Sequence, residues 1–261
     1  MIAIVLPKAD DRILSALSFQ KCKDFKVYVA SGEVQDDPFL DVQHGSWSQV
    51  QEEVLCILEP GALPGPDFVG RIAKAVKRHP DFEVYHVNLT GEKAFPRKTK
   101  TKKLFKLSVL GEVPAPLSSF IFRTTVLRSR AVFKADGSLD TLPTVFSCAV
   151  AKPVRNVWRG RLDWQAPDTS ADPMEGDRKV KEKIELLKWT EDFFGDDDYP
   201  LSVGDQLDFF ATEVAKLYPS YSEEDLKAIM NSFQVAEGPV RKMRAASALK
   251  SALKKRGLEL Q

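Results

Sequence analysis

The 261-residue chain is 43% hydrophobic and 29% charged with a net charge of +1, a globular composition that excludes a disordered chain and gives no overall basic character for holding nucleic acid. Its three cysteines, Cys22, Cys56 and Cys148, are widely spaced and form neither a zinc pattern nor a disulfide framework. No apolar run reaches the roughly 18 residues of a membrane helix, and the run over 2–6 is too short for a signal peptide, so a reducing, cytoplasmic setting is expected.

The first strand is expected over 2–6, Ile-Ala-Ile-Val-Leu, closed by Pro7 and Lys8. Ile13, Leu14 and Leu17 then share one face of a helix over 9–18, followed by Gln20. A second strand is expected over 26–30, leading into Ser31 and Gly32. Residues 33–53 contain Pro38, Gly45 and a polar mixture, with room for a helical turn at Ser46-Trp47-Ser48-Gln49-Val50. The apolar run Val54-Leu55-Cys56-Ile57-Leu58 reads as a buried strand, then Glu59-Pro60-Gly61-Ala62 as a tight acidic turn. Val69, Ile72, Ala73 and Val76 give the next helix, over 67–78, its apolar face, and a strand follows over 83–88. This alternation predicts an α/β domain with a largely parallel sheet. The basic stretch over 97–103 has no periodicity and is expected as a loop, either solvated or touching phosphates.

Three segments in this order resemble the family-2-type glycosyltransferases: the opening strand, helix and Phe25-led second strand; the strand, acidic turn and helix around Glu59; and Ala115-Pro116-Leu117-Ser118-Ser119-Phe120-Ile121-Phe122-Arg123 with the loop over 133–140. The resemblance covers roughly the first 150 to 165 residues. It implies a GT-A-like mixed sheet flanked by helices, carrying a nucleotide sugar and a divalent ion, Mg or Mn, at an acidic D-x-D turn. Here Glu59 stands at the first acidic position, and Gly61 and Ala62 at the next two, so the metal motif is degenerate. Ala30 and Ser31 replace the paired Asp of the second strand, and no Ala-Arg-Asn run precedes the metal-turn strand.

The resemblance assigns nucleotide-sugar contacts to Pro7, Lys8, Ser31 and Glu59, with Glu59 also the one metal ligand. Glycosyl transfer needs a carboxylate base for the acceptor hydroxyl, and Asp140 is the candidate, with Asp136 a turn residue beside Gly137. Trp158 and Trp164 flank Arg159 and Arg161, either as packing residues or as a surface for carbohydrate or phosphate. The implied partners are a nucleotide sugar and a glycan or lipid-linked acceptor. The alternative is an inactive relative that keeps the scaffold to bind carbohydrate or a partner protein.

An Asp/Ser/Thr/Pro/Gly-rich linker is expected over 168–177, dividing a transferase-like domain over 1–167 from a helical extension over 178–261. Val180, Ile184, Leu187 and Phe194 share a face there; Leu207, Phe210, Val214 and Leu217 share another, and Ser222 suits an N-cap. The last helix, rich in Lys and Arg between Arg241 and Arg256, is either a solvated end or a contact for an anionic membrane surface.

Overall fold

The computed structural model describes residues 1–34, 38–91, 97–100, 102–104, 115–134 and 137–165, together with Leu186, Trp189, Phe193, Ser247 and Lys254. The chain divides into two compact units, Met1–Pro167 and Asp168–Gln261.

In the first unit the strands are β1 (Ile2–Leu6), β2 (Phe25–Val29), β3 (Val42–His44), β4 (Val54–Ile57), β5 (Ala62–Pro64), β6 (Val84–Leu89), β7 (Lys98–Thr99), β8 (Phe120–Arg123) and β9 (Val154–Trp164). The helices described are α1 (Asp11–Ser18), α2 (Phe68–Arg78), α3 (Thr124–Arg130) and α4 (Thr141–Cys148). One sheet runs β3-β2-β1-β4-β8-β6-β9-β5, with β7 beside β9. The pairs β3–β2, β2–β1 and β1–β4 are parallel, whereas β8 runs antiparallel to both β4 and β6. The largely parallel sheet expected from the first 110 residues is thus the half up to β4, and the whole is mixed.

The runs read as strands are central because both of their faces are covered. All five residues of β1 and all four of β4 are buried, as a sheet layered by helices requires. Ile4, Leu6, Val27, Cys56 and Leu58 meet Ile13 and Leu17 of α1 and Phe68, Val69 and Ile72 of α2 in one core. Asp10 sets the start of α1, its carboxylate accepting from the backbone N–H groups of Arg12 and Ile13. Gln20, also buried, donates to the carbonyls of Ala16 and Gly65 and accepts from the Val69 N–H, which fastens the end of α1 to the entry of α2. The Leu-x-x-Gln ending of the first helix therefore has a structural role.

The sequence reading did not foresee β3, β5 or β9. Strand β9 is bent: Arg155 and Asn156 face Tyr85 and His86 of β6, but Arg161 and Leu162 face Asn88 and Leu89. The surplus residues form a bulge in which Arg159 takes φ 60°. Part of the expected basic loop is ordered by β9, since Lys98 and Thr99 pair with Arg155 and Val154. The expected helical turn near Ser46 is a short 3-10 helix, Trp47–Gln49.

In the second unit Leu186, Trp189 and Phe193 are helical and half-buried, with the Trp189 and Phe193 rings stacked at 4.8 Å. Val180, Ile184, Leu187, Phe194, the stripe over 207–217 and Ser222 lie outside the described residues, as does the basic terminal segment apart from Ser247 and Lys254. Among the described residues, no helix is long and apolar enough to cross a membrane.

Candidate functional site

The order β3-β2-β1-β4 places a topological switch at β1, whose sequence neighbour β2 lies on one side and β4 on the other. Chain exits diverge at such a point and leave a crevice outside the carboxyl ends of the strands, the usual ligand position in open α/β sheets. Pro7 and Lys8 directly follow β1, Ser31 follows β2 and Glu59 follows β4, so all four candidates stand at this one edge. Pro7, Lys8 and Ser31 are exposed. The Ser31 hydroxyl donates to the Pro7 carbonyl at 2.8 Å, and the Ala9 N–H donates to the Ser31 carbonyl at 2.8 Å. These bonds tie the two strand exits together and turn the remaining acceptor capacity of Ser31 outward.

Glu59 is not a freely solvated turn residue. It is half-buried and locked to the fully buried Ser118: its N–H donates to the Ser118 hydroxyl at 2.8 Å. In return its carboxylate accepts from that hydroxyl at 3.2 Å and from the Ser118 N–H at 3.4 Å. Burial raises the Glu59 carboxyl above the ordinary carboxylate range, opposed by the Ser118 and Leu117 contacts and by the charge of Lys134. Ser118 and Lys134 fall in segments that carry the resemblance but were given no site role, because only the fold brings them to Glu59.

The turn positions Gly61 and Ala62 are fixed by the backbone. Gly61 has φ 91°, and a Cβ built on it would come within 2.6 Å of the Gln165 carbonyl oxygen. The Gln165 N–H meanwhile donates to the Gly61 carbonyl at 3.1 Å. Ala62 is wholly buried and pairs with Trp164 in β5–β9. Glycine is required at the first position and a small apolar residue suits the second, so neither has room for a carboxylate. A divalent ion of the Mg or Mn kind needs several oxygen ligands, and this turn supplies one carboxylate already engaged by Ser118. The donor set does not fit such an ion, and among the described residues no group of three metal-binding side chains occurs.

Asp140 stands before α4 and accepts there through its backbone, from the Thr144 N–H at 3.0 Å, while its side chain makes no capping bond. Just before it, Phe133 bridges Leu139, and the Lys134 N–H donates to the Ser138 carbonyl at 2.8 Å. Lys134, whose charge acts on Glu59, is thus tied to the residues that lead into Asp140. Asp136 lies outside the described residues. Of the tryptophan pair, Trp164 packs against the core, which favours its packing role.

No protein-family model matches the chain, and no curated protein matches it. Among solved structures it is similar to residues 1–349 of S. aureus TarS in complex with UDP-GlcNAc, at 11% identity over 100% of this chain and 93% of that one, with a TM-score of 0.52. A longer S. aureus TarS structure is 10% identical over 97% of this chain and 55% of its own, with a TM-score of 0.50. The mannosyltransferase PcManGT from Pyrobaculum calidifontis, in complex with GDP-Man and Mn2+, is 14% identical over 97% and 86%, with a TM-score of 0.49. At these identities the likeness shows the fold, which is the GT-A type of the nucleotide-sugar glycosyltransferases.

Proposed function

We propose that this chain is a nucleotide-sugar-dependent glycosyltransferase of GT-A type that acts on a glycan or lipid-linked acceptor without a tightly held divalent ion. The observation that supports this reading is the grouping of Pro7, Lys8, Ser31 and Glu59 at the switch-point edge, beside a turn whose backbone leaves no room for further carboxylates. In the transfer, the acceptor oxygen forms a bond to the anomeric carbon. The bond from that carbon to the diphosphate breaks, and its electron pair leaves with the diphosphate. Asp140 takes the acceptor proton, and Lys8 offsets the charge that develops on the leaving group. Ser31 accepts a hydrogen bond from the ribose or base.

One observation favours a second reading, an inactive relative that binds carbohydrate or a partner protein: the single carboxylate of the turn is held by Ser118. Release of nucleoside diphosphate separates the two. Calorimetry with a panel of UDP- and GDP-sugars first finds the donor, and product release is then followed with candidate acceptors. The transferase reading expects release that Asp140→Asn abolishes without changing donor affinity. Donor binding with no release for any acceptor, or no donor binding at all, would overturn the transferase reading and leave the inactive relative.

A further inference from the structure

A second site lies on the same unit, away from the switch-point edge. Arg71, Lys74 and Arg78 stand at i, i+3 and i+7 on α2 and line one side of a cavity of about 250 Å³. Arg97, at the entry to β7, and Arg155 on β9 line it too, with His79 at the end of α2. Arg155 pairs with Tyr85 near the start of β6, and β6 runs parallel to β4 because β8 is antiparallel to both. The cavity therefore sits toward the opposite edge of the sheet from Glu59.

Its chemistry is one-signed. No Asp or Glu is among the described residues that line it, and Arg71, Lys74, Arg78 and Arg155 form no ion pair among the described residues. This contrasts with Arg123 and Arg130 on the same unit, which pair with Glu53 and Glu83. The Nε of Arg155 is buried with no hydrogen-bond partner among the described residues, and its Nη2 is 2.7 Å from His79 Nε2. A guanidinium donor beside that nitrogen requires a neutral imidazole. Burial, then the charges of Arg155, Lys98 and Arg78, hold His79 below its usual range. Lys98 and Arg155 both lie over the Phe82 ring, at 5.6 and 5.8 Å, which fixes the Arg155 head beside one further cation. In a chain of net charge +1, Arg71, Lys74, Arg78 and Arg155, with no ion pair among the described residues, are an arrangement that repels itself until an anion enters.

We propose that this cavity is a binding site for a phosphate group, held by the guanidinium groups of Arg71, Arg78 and Arg155 and separate from the nucleotide-sugar edge. Guanidinium forks match phosphate oxygens with paired charge-assisted hydrogen bonds, and Lys74 adds a point charge. The volume lies below the roughly 300 Å³ at which drug-sized pockets begin, so it suits one phosphate with a small substituent. That phosphate belongs either to a free phosphorylated molecule or to a lipid headgroup.

The test uses the full chain. Inorganic phosphate is titrated by calorimetry, and thermal unfolding is followed with and without phosphate, for the natural chain and Arg71→Ala/Arg78→Ala. Phosphate should bind the natural chain and raise its unfolding temperature. It should bind the double variant about tenfold or more weakly. In phosphate-free buffer the double variant should unfold at the same or a higher temperature than the natural chain, because repulsion has been removed; a merely structural role for these arginines would lower it. Vesicles of phosphatidylcholine with and without phosphatidylglycerol distinguish the sources: sedimentation only with the anionic lipid, lost in the double variant, assigns a headgroup. Binding of phosphate alone assigns a free ligand. No phosphate effect on the natural chain, or an equal effect on the double variant, would overturn the proposal.

Discussion

Restoring an acidic residue to the turn by Gly61→Asp should damage the fold and leave metal binding no tighter. Any side chain at this position must adopt φ 91° and place its Cβ within 2.6 Å of the Gln165 oxygen. The unfavourable backbone conformation costs about 1–3 kcal/mol. Moving Gln165 away loosens its N–H bond to the Gly61 carbonyl, a further loss of about 1 kcal/mol. The sum is about 2–4 kcal/mol, and it arises at the Cβ, so Gly61→Ala should lose nearly as much as Gly61→Asp. Urea unfolding of the natural chain and both variants measures this, and a manganese titration of Gly61→Asp checks for a gained ion. A Gly61→Asp protein as stable as the natural chain, whose unfolding midpoint rises with manganese, would refute the argument that the backbone excludes the ligand.

Gln20→Ala removes a buried amide that makes three bonds between α1 and the entry of α2, and should lower unfolding free energy by about 1–3 kcal/mol in urea. The Glu59 carboxyl is raised from 4.5, so the folded state holds its proton more tightly than the unfolded chain. Its contribution is full below that value and is lost as pH rises through the folded pKa, so Glu59→Gln should gain stability relative to the natural chain over that rise. Buried His86, edge-on to Phe120 at 5.1 Å, is pushed down from 6.5 to about 3. Between those values the unfolded chain binds the extra proton, so stability should fall on acidification by about 1.4 kcal/mol per pH unit, a slope that His86→Leu should remove in pH-dependent unfolding.

Much of the sheet was legible because its central strands are uninterrupted apolar runs. Ile2–Leu6 and Val54–Ile57 need no partner to be recognised, and Ile13, Leu14 and Leu17 mark a helix face by spacing alone. The start of α1 fell two residues later than expected because Asp10 caps it through its side chain. Strand β9 escaped notice for a physical reason. Its buried Val154, Val157, Gly160 and Leu162 break the period of two, since the bulge at Arg159 resets which face each side chain meets. Lys98 and Thr99 are recruited to the sheet by backbone bonds to β9, which their side chains do not advertise. At the site, Lys8, Ser31 and Glu59 were named by the resemblance, as residues that follow the first, second and acidic-turn strands. The Ser118 lock on Glu59 was not legible, because it joins residues 59 apart in sequence through tertiary contact. Nor was the reason for Gly61, which resides in the carbonyl of Gln165.

The central claim is that a nucleotide sugar is held at the switch-point edge without help from a divalent ion. Its most direct test is the dissociation constant of the best-bound nucleotide sugar, measured by calorimetry in chelator and again with manganese, for the natural chain, Lys8→Ala and Glu59→Ala. The account predicts a nearly unchanged constant on adding manganese, weaker binding in Lys8→Ala, and no manganese response in Glu59→Ala. Tight binding that appears only with manganese and vanishes in Glu59→Ala would contradict it.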